Sequence, residues 1–142
     1  MNKTEILSII NQKGGVGKTT TAINLAAGLA LKNKKILVID LDPQGNATTG
    51  LGLSNSENSG ETIYAVLNGT KKISDVIKKT QFQNLDLVSS NVDLSGLEVE
   101  TAGDSRRAFI LKEQIMAYLN DFRGKYEYIF IDCPPSLSLL TV

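Results

Sequence analysis

The chain has 142 residues, 42% of them hydrophobic, and its 15 Lys plus Arg balance 15 Asp plus Glu, a formal net charge of zero. That length allows one domain with a core of its own. The balanced charge advertises neither a nucleic-acid-binding field nor an acidic disordered tail. Cys133 is the only cysteine and there is no histidine. An internal disulfide, a cysteine-cluster metal site and histidine-based acid–base or zinc chemistry are therefore excluded within the chain.

Residues 1–5 lack the layout of a signal peptide, and no apolar run approaches membrane-spanning length, so cytoplasm is the expected location. Residues 5–10 (Glu5-Ile6-Leu7-Ser8-Ile9-Ile10) read as a buried strand. Lys13-Gly14-Gly15-Val16-Gly17-Lys18-Thr19-Thr20 follows, and an amphipathic helix is expected from Thr20 to Leu31. A strand, a glycine-rich turn and a helix in that order make a phosphate cradle. Backbone N–H groups point into the turn, the helix adds the positive end of its dipole, and glycines let the backbone approach the ligand. Lys18 is placed for the β- and γ-phosphates and the Thr19 hydroxyl for Mg²⁺. The match to G-x-x-x-x-G-K-[ST] is partial. Gln12 stands where the first glycine belongs, and an additional lysine, Lys13, sits beside the glycine pair. The competing reading is a plain glycine-rich turn with two solvated lysines.

The helix is expected to pack through Ile23, Leu25, Ala26, Ala27, Leu29 and Ala30, and to end near Lys32-Asn33-Lys34, whose lysines suit a helix C-terminus. Ile36-Leu37-Val38-Ile39 is a continuous apolar run of the kind found in strands buried on both faces. It leads into Asp40-Leu41-Asp42-Pro43-Gln44-Gly45-Asn46-Ala47-Thr48. Two acids two residues apart on an extended chain point the same way. They lie where open α/β sheets bind ligands, just past the carboxyl end of a strand. An Asx-type turn accounts for one of these acids and not for both.

Residues 54–60 form a polar loop. Thr62 to Leu67 and Ile73 to Lys79 read as two short helices, and Leu85-Asp86-Leu87-Val88 as a strand. The segment 91–103 has weak helical spacing. Arg106 to Phe122 reads as an amphipathic helix with Phe109, Ile110, Ile115, Met116 and Leu119 on its apolar side. Tyr128-Ile129-Phe130-Ile131-Asp132 is an apolar strand ending on an acid. Paired with the cradle, that acid belongs to the metal side of P-loop chemistry. Cys133 reads as a small buried filler before the stiff Pro134-Pro135 turn. The strand–helix alternation implies one α/β domain over residues 1–142, with a mostly parallel sheet and helices on both faces.

The cradle, the Asp40–Thr48 stretch and Asp132-Cys133-Pro134-Pro135-Ser136 together resemble the ParA/Soj partitioning ATPases, of the deviant-Walker P-loop class that also holds MinD. Asn84-Leu85-Asp86-Leu87-Val88 and Asn91-Val92-Asp93-Leu94 strengthen the resemblance to ParA/Soj within that class. The resemblance implies an ATPase switch in chromosome or plasmid segregation, with ATP and Mg²⁺ as cofactors. The phosphate-binding residues would be Lys13, Gly14, Gly15, Val16, Gly17, Lys18, Thr19 and Thr20. Lys13 would reach the nucleotide of a partner subunit, making ATP the glue of a homodimer. Asp42 would position the attacking water. Thr19 would ligate Mg²⁺ directly and Asp132 through its water shell, while Asp40 would tune that shell or brace the turn. Gly45 and Pro134-Pro135 would lie in switch segments.

The family's members are longer than this chain, so the resemblance covers the N-terminal part of a larger domain. A ParB-like centromere-binding partner, non-specific DNA binding through the part beyond residue 142 and a nucleoid-associated location are implied, with no membrane. The alternatives are a MinD-like membrane-associated division regulator and an inactive nucleotide-binding fragment. A nitrogenase iron-protein type of reductase needs cluster-binding cysteines that one cysteine cannot supply.

Overall fold

The computed structural model describes residues 3–10, 16–42, 45–53, 59–90 and 106–133. Five strands, β1 (Glu5–Ile10), β2 (Ile36–Asp40), β3 (Ile77–Lys79), β4 (Leu85–Val88) and β5 (Tyr128–Cys133), form one sheet in the order β1-β5-β2-β4-β3. The first four in that order are parallel, and β3 is antiparallel at the far edge. Among the described residues six helical segments accompany them: α1 (Val16–Leu31), α2 (Asn46–Gly50), a 3₁₀ turn (Ser59–Glu61), α3 (Ile63–Leu67), α4 (Ile73–Val76) and α5 (Arg106–Asp121). The expected mostly parallel α/β sheet is present.

Alternation along the strands sorts the core into two layers. Ile36 and Val38 of β2, Leu85 and Leu87 of β4 and Phe130 of β5 pack with Ala26 and Ala30 of α1 and with Ala47 and Leu51 in and after α2. Leu37, Ile39, Val88, Ile129, Ile131 and Cys133 pack on the other face, against α3, α4 and α5. Helices therefore cover both faces, which is why β2 is buried along its whole length.

Several local expectations shift. Helix α1 starts at Val16, four residues before Thr20, so the second half of the glycine-rich stretch is already helical. It ends in a Schellman turn: Asn33 is left-handed at φ 64°, Lys34 N–H donates to Leu29 O at 3.1 Å, and Asn33 N–H to Ala30 O at 3.0 Å. The expected helix from Ile73 to Lys79 stops at Val76. Ile77 turns extended, and Ile77–Lys79 pair antiparallel with β4, so hydrogen bonding across the hairpin overrides the helical spacing.

On α5 the buried stripe is Leu111, Ile115 and Tyr118, whereas Phe109 and Met116 face outward. Strand β1 is not the buried strand expected. Among the described residues it pairs only with β5, and Ile6 and Leu7 are each 41% exposed. Residues 91–103 lie outside the described residues, as do Pro134 and Pro135.

Candidate functional site

The site grows from the carboxyl ends of three neighbouring strands. In β5, Ile9 of β1 is the register partner of Asp132 on one side, and Asp40 of β2 on the other. Asp40 and Asp132 follow Val38 and Phe130 in the alternation, so both lie on the α1–α2 face of the sheet. Helix α1 begins six residues after β1 ends, which brings its N-terminus to this same edge. No acidic residue occupies its first turn. Lys18 sits there instead, a charge opposed to the helix dipole that an anion at this end would offset.

Asp40 is fully buried and both of its oxygens are engaged. Oδ1 accepts from Asp42 N–H at 2.9 Å; Oδ2 accepts from Thr48 N–H at 2.8 Å and from Thr48 Oγ1 at 2.6 Å. Thr48 Oγ1 in turn accepts from Ser90 N–H at 3.1 Å, and Ser90 Oγ donates to Asp42 O at 2.7 Å. The same Asp42 carbonyl accepts from Gly45 N–H at 2.8 Å. Gly45 precedes α2 at φ 67°, a left-handed conformation that glycine adopts without a Cβ penalty. The Asx-type turn expected for one of the two acids is thus made by Asp40, and it sets the backbone at Asp42.

The charges crowd together. Burial pushes the Asp132 carboxyl up to about 7, with the negative charges of Asp40 and Asp42 adding to the effect. Burial raises Asp40 to about 6, against the opposing hydrogen bonds from Thr48 and Asp42. Cys133, fully buried beside Asp132, is pushed up to about 12 by burial, so its thiolate is inaccessible at neutral pH and the filler role fits.

Hard carboxylate oxygens whose charges raise one another's proton affinity suit Mg²⁺, which would relieve that repulsion. No group of three or more Cys, Asp or Glu side chains among the described residues is gathered closely enough to hold a metal by itself. The arrangement therefore fits an ion held by few protein oxygens together with phosphates and water, the usual habit of Mg²⁺.

Of the residues singled out in the sequence, Asp40, Asp42 and Asp132 come together at the carboxyl ends of β2 and β5, Asp42 only 7% exposed. Lys13, Gly14 and Gly15 lie outside the described residues. Val16, Gly17, Lys18, Thr19 and Thr20 are placed through their backbone, as the start of α1, and their side chains lie outside the described part. Two residues that sequence reasoning did not single out belong to the site. Thr48 lies within the stretch already noted for its acids. Ser90 follows β4, 48 positions from Asp42, and carries no local signal.

The profile of the AAA domain family matches residues 4–142. Over 141 residues the chain is 46% identical to the chromosome partitioning protein ParA of Caulobacter vibrioides, covering 99% of this chain and 52% of that protein. It is 48% identical over 142 residues to the chromosome-partitioning ATPase Soj of Treponema pallidum, covering all of this chain and 52% of that protein. The chain thus spans about half the length of the relatives it matches. Among solved structures, cobyrinic acid a,c-diamide synthase from Mycobacterium smegmatis with bound ADP and magnesium superposes with a TM-score of 0.84 at 34% identity, over 98% of this chain and 54% of that one. With its cradle sequence at the head of α1 and its acids at the ends of β2 and β5, the chain belongs to the AAA domain family and, within it, is similar to the ParA and Soj partitioning proteins over their matching half.

Proposed function

We propose that this chain is the phosphate-binding part of a Mg-ATP-dependent switch of the ParA/Soj type, acting in chromosome or plasmid segregation. The observation that carries this reading is the gathering of Asp40, Asp42 and Asp132 at the carboxyl ends of β2 and β5, on the side where α1 begins. The cradle would hold the phosphates through the backbone N–H groups of Gly14 to Thr20 and through Lys18. Lys13 would reach across to the nucleotide of a second subunit, so that ATP joins a homodimer. Thr19 and Asp132 would hold the metal, which supplies neutralisation of phosphoryl charge. Asp42 would orient the attacking water; phosphoryl transfer to water asks for positioning and charge more than for a strong base. Asp40 is assigned to bracing the turn, because both its oxygens are already engaged.

A ParB-like partner and non-specific DNA complete the proposal, the DNA engaged by sequence beyond these 142 residues, in the cytoplasm at the nucleoid. The relatives' names and the nucleotide-bound neighbour support this reading. The test is Mg-ATP binding and turnover by the chain, with Lys18→Ala and Asp42→Ala beside it. Loss of binding in Lys18→Ala and of turnover with retained binding in Asp42→Ala is expected. Binding unaffected by Lys18→Ala would remove the cradle from the account. Binding without turnover in the unmodified chain would favour an inactive nucleotide-binding fragment.

A further inference from the structure

We propose that Thr48 and Ser90 are positioning residues for Asp42, acting with Asp40 as one closed ring of buried hydrogen bonds. The inference rests on the role of Asp42 in orienting water and deepens it. The ring runs from Asp42 N–H to Asp40, from Asp40 to the N–H and hydroxyl of Thr48, from Thr48 Oγ1 to Ser90 N–H, and from Ser90 Oγ back to Asp42 O. It holds Asp42 on both sides of its Cα, the N–H of the preceding peptide through Asp40 and the carbonyl of the following one through Ser90. Three separate elements contribute: the end of β2, helix α2 and the chain leaving β4.

Thr48 and Ser90 are fully buried, so neither is placed to touch a nucleotide from solvent. The Thr48 hydroxyl both donates to Asp40 and accepts from Ser90 N–H, so valine removes both functions while keeping the shape; the Ser90 hydroxyl donates to Asp42 O. A buried network of this kind fixes geometry only when every member is satisfied. Its consequence is directional: a break in the ring lets Asp42 drift without removing its carboxylate. A drift near 1 Å in a positioned group costs about 10²-fold in rate.

The experiment compares the chain with Thr48→Val, Thr48→Ser and Ser90→Ala, using Asp42→Ala as the reference. Mg-ATP turnover is read as kcat and KM separately, and amide hydrogen exchange is followed at Asp42 and Gly45. The expected result for Thr48→Val and Ser90→Ala is a fall in kcat of about tenfold or more, with KM for ATP held within about twofold. Faster exchange at Asp42 and Gly45 than at amides in the middle of β2 and β5 should accompany it. Thr48→Ser, which keeps the hydroxyl, should retain most of the rate.

Ser90→Ala is the smaller change and keeps the test open where Thr48→Val fails to fold. Wild-type turnover in Ser90→Ala, alongside loss in Asp42→Ala, would overturn the ring while leaving the function proposed above intact. Unchanged turnover in Asp42→Ala would remove the role of Asp42 and the positioning inference with it. Where the unmodified chain turns over no ATP, exchange alone decides the ring: unchanged protection at Asp42 and Gly45 in Ser90→Ala overturns it, and selective loss of protection supports it.

Discussion

Asp132 sits 2% exposed beside two other carboxylates, and that placement is costly to the fold. Its carboxyl is raised from 3.8 to about 7, chiefly by burial. Between those values the folded chain holds more protons than the unfolded one, so stability falls as pH rises through that window. Asp40, raised to about 6, acts in the same direction. In the absence of nucleotide and metal, Asp132→Asn is therefore expected to melt at a higher temperature than the parent at pH 8. The difference should shrink as pH falls and vanish below about pH 3, under both values, where the parent carboxyl is protonated in both states. Thermal melts across that range test it, and a variant less stable than the parent at pH 8 would remove the account of the site as strained by its own charge. Active sites commonly hold such strain because the ligand, not the fold, is what relieves it. The acid at the end of a strand was legible in the residues themselves; its pairing with Asp40 came from the resemblance alone, since the two meet only through the register of β2 against β5.

The short helices depend on their caps more than on their own length, because five residues close few hydrogen bonds. Thr62 heads α3 in an extended conformation and its Oγ1 accepts from Tyr64 N–H at 3.2 Å, with the side chain fully buried. Thr62→Ala should cost about 1 kcal/mol through loss of that cap, and Thr62→Ser should recover most of it. Denaturant unfolding of the three proteins measures both. An alanine variant as stable as the parent would mean that packing of Ile63, Val66 and Leu67 alone holds α3 in place.

The longer elements were readable from periodicity: β1 and β4 fall where the apolar runs place them, and α5 differs from its expected span by one residue. The failures have physical causes. Ile73 to Lys79 carries helical spacing, yet pairing of Ile77 with Val88 draws the chain into a hairpin. Of the apolar side expected on α5, Ile115 is buried and Ile110 and Leu119 pack against the core, whereas Leu111 and Tyr118 take the inward places and Phe109 and Met116 face outward. A pattern of apolar residues shows that a helix has a buried side, but the neighbour decides which of two adjoining stripes it is.

At the scale of the molecule, the sheet has one edge that invites further contact. Strand β1 pairs only with β5 among the described residues, and its Ile6 and Leu7 are each 41% exposed. A parallel strand that shows apolar side chains at an open edge is a template for pairing with another strand. The 142-residue chain is expected to self-associate as its concentration rises, and Leu7→Lys to return it toward the sedimentation of a 15.3 kDa monomer without loss of the fold. Sedimentation velocity decides it; a parent chain that stays monomeric at high concentration would show this edge to be sufficiently protected.

The chemistry on offer and the class of fold are written in local runs of residues. The spacing of glycines and lysines before α1, the apolar runs of β2 and β5 and the acids at their ends are local features that need no partner to be read. Tertiary structure decided which of those features meet. It inserted β5 between β1 and β2, set Asp132 beside Asp40, and brought Ser90 back to close on Asp42. Contacts between segments so far apart along the chain arise from strand pairing and burial, and a hydroxyl that completes a buried ring leaves no periodic mark in the residues around it.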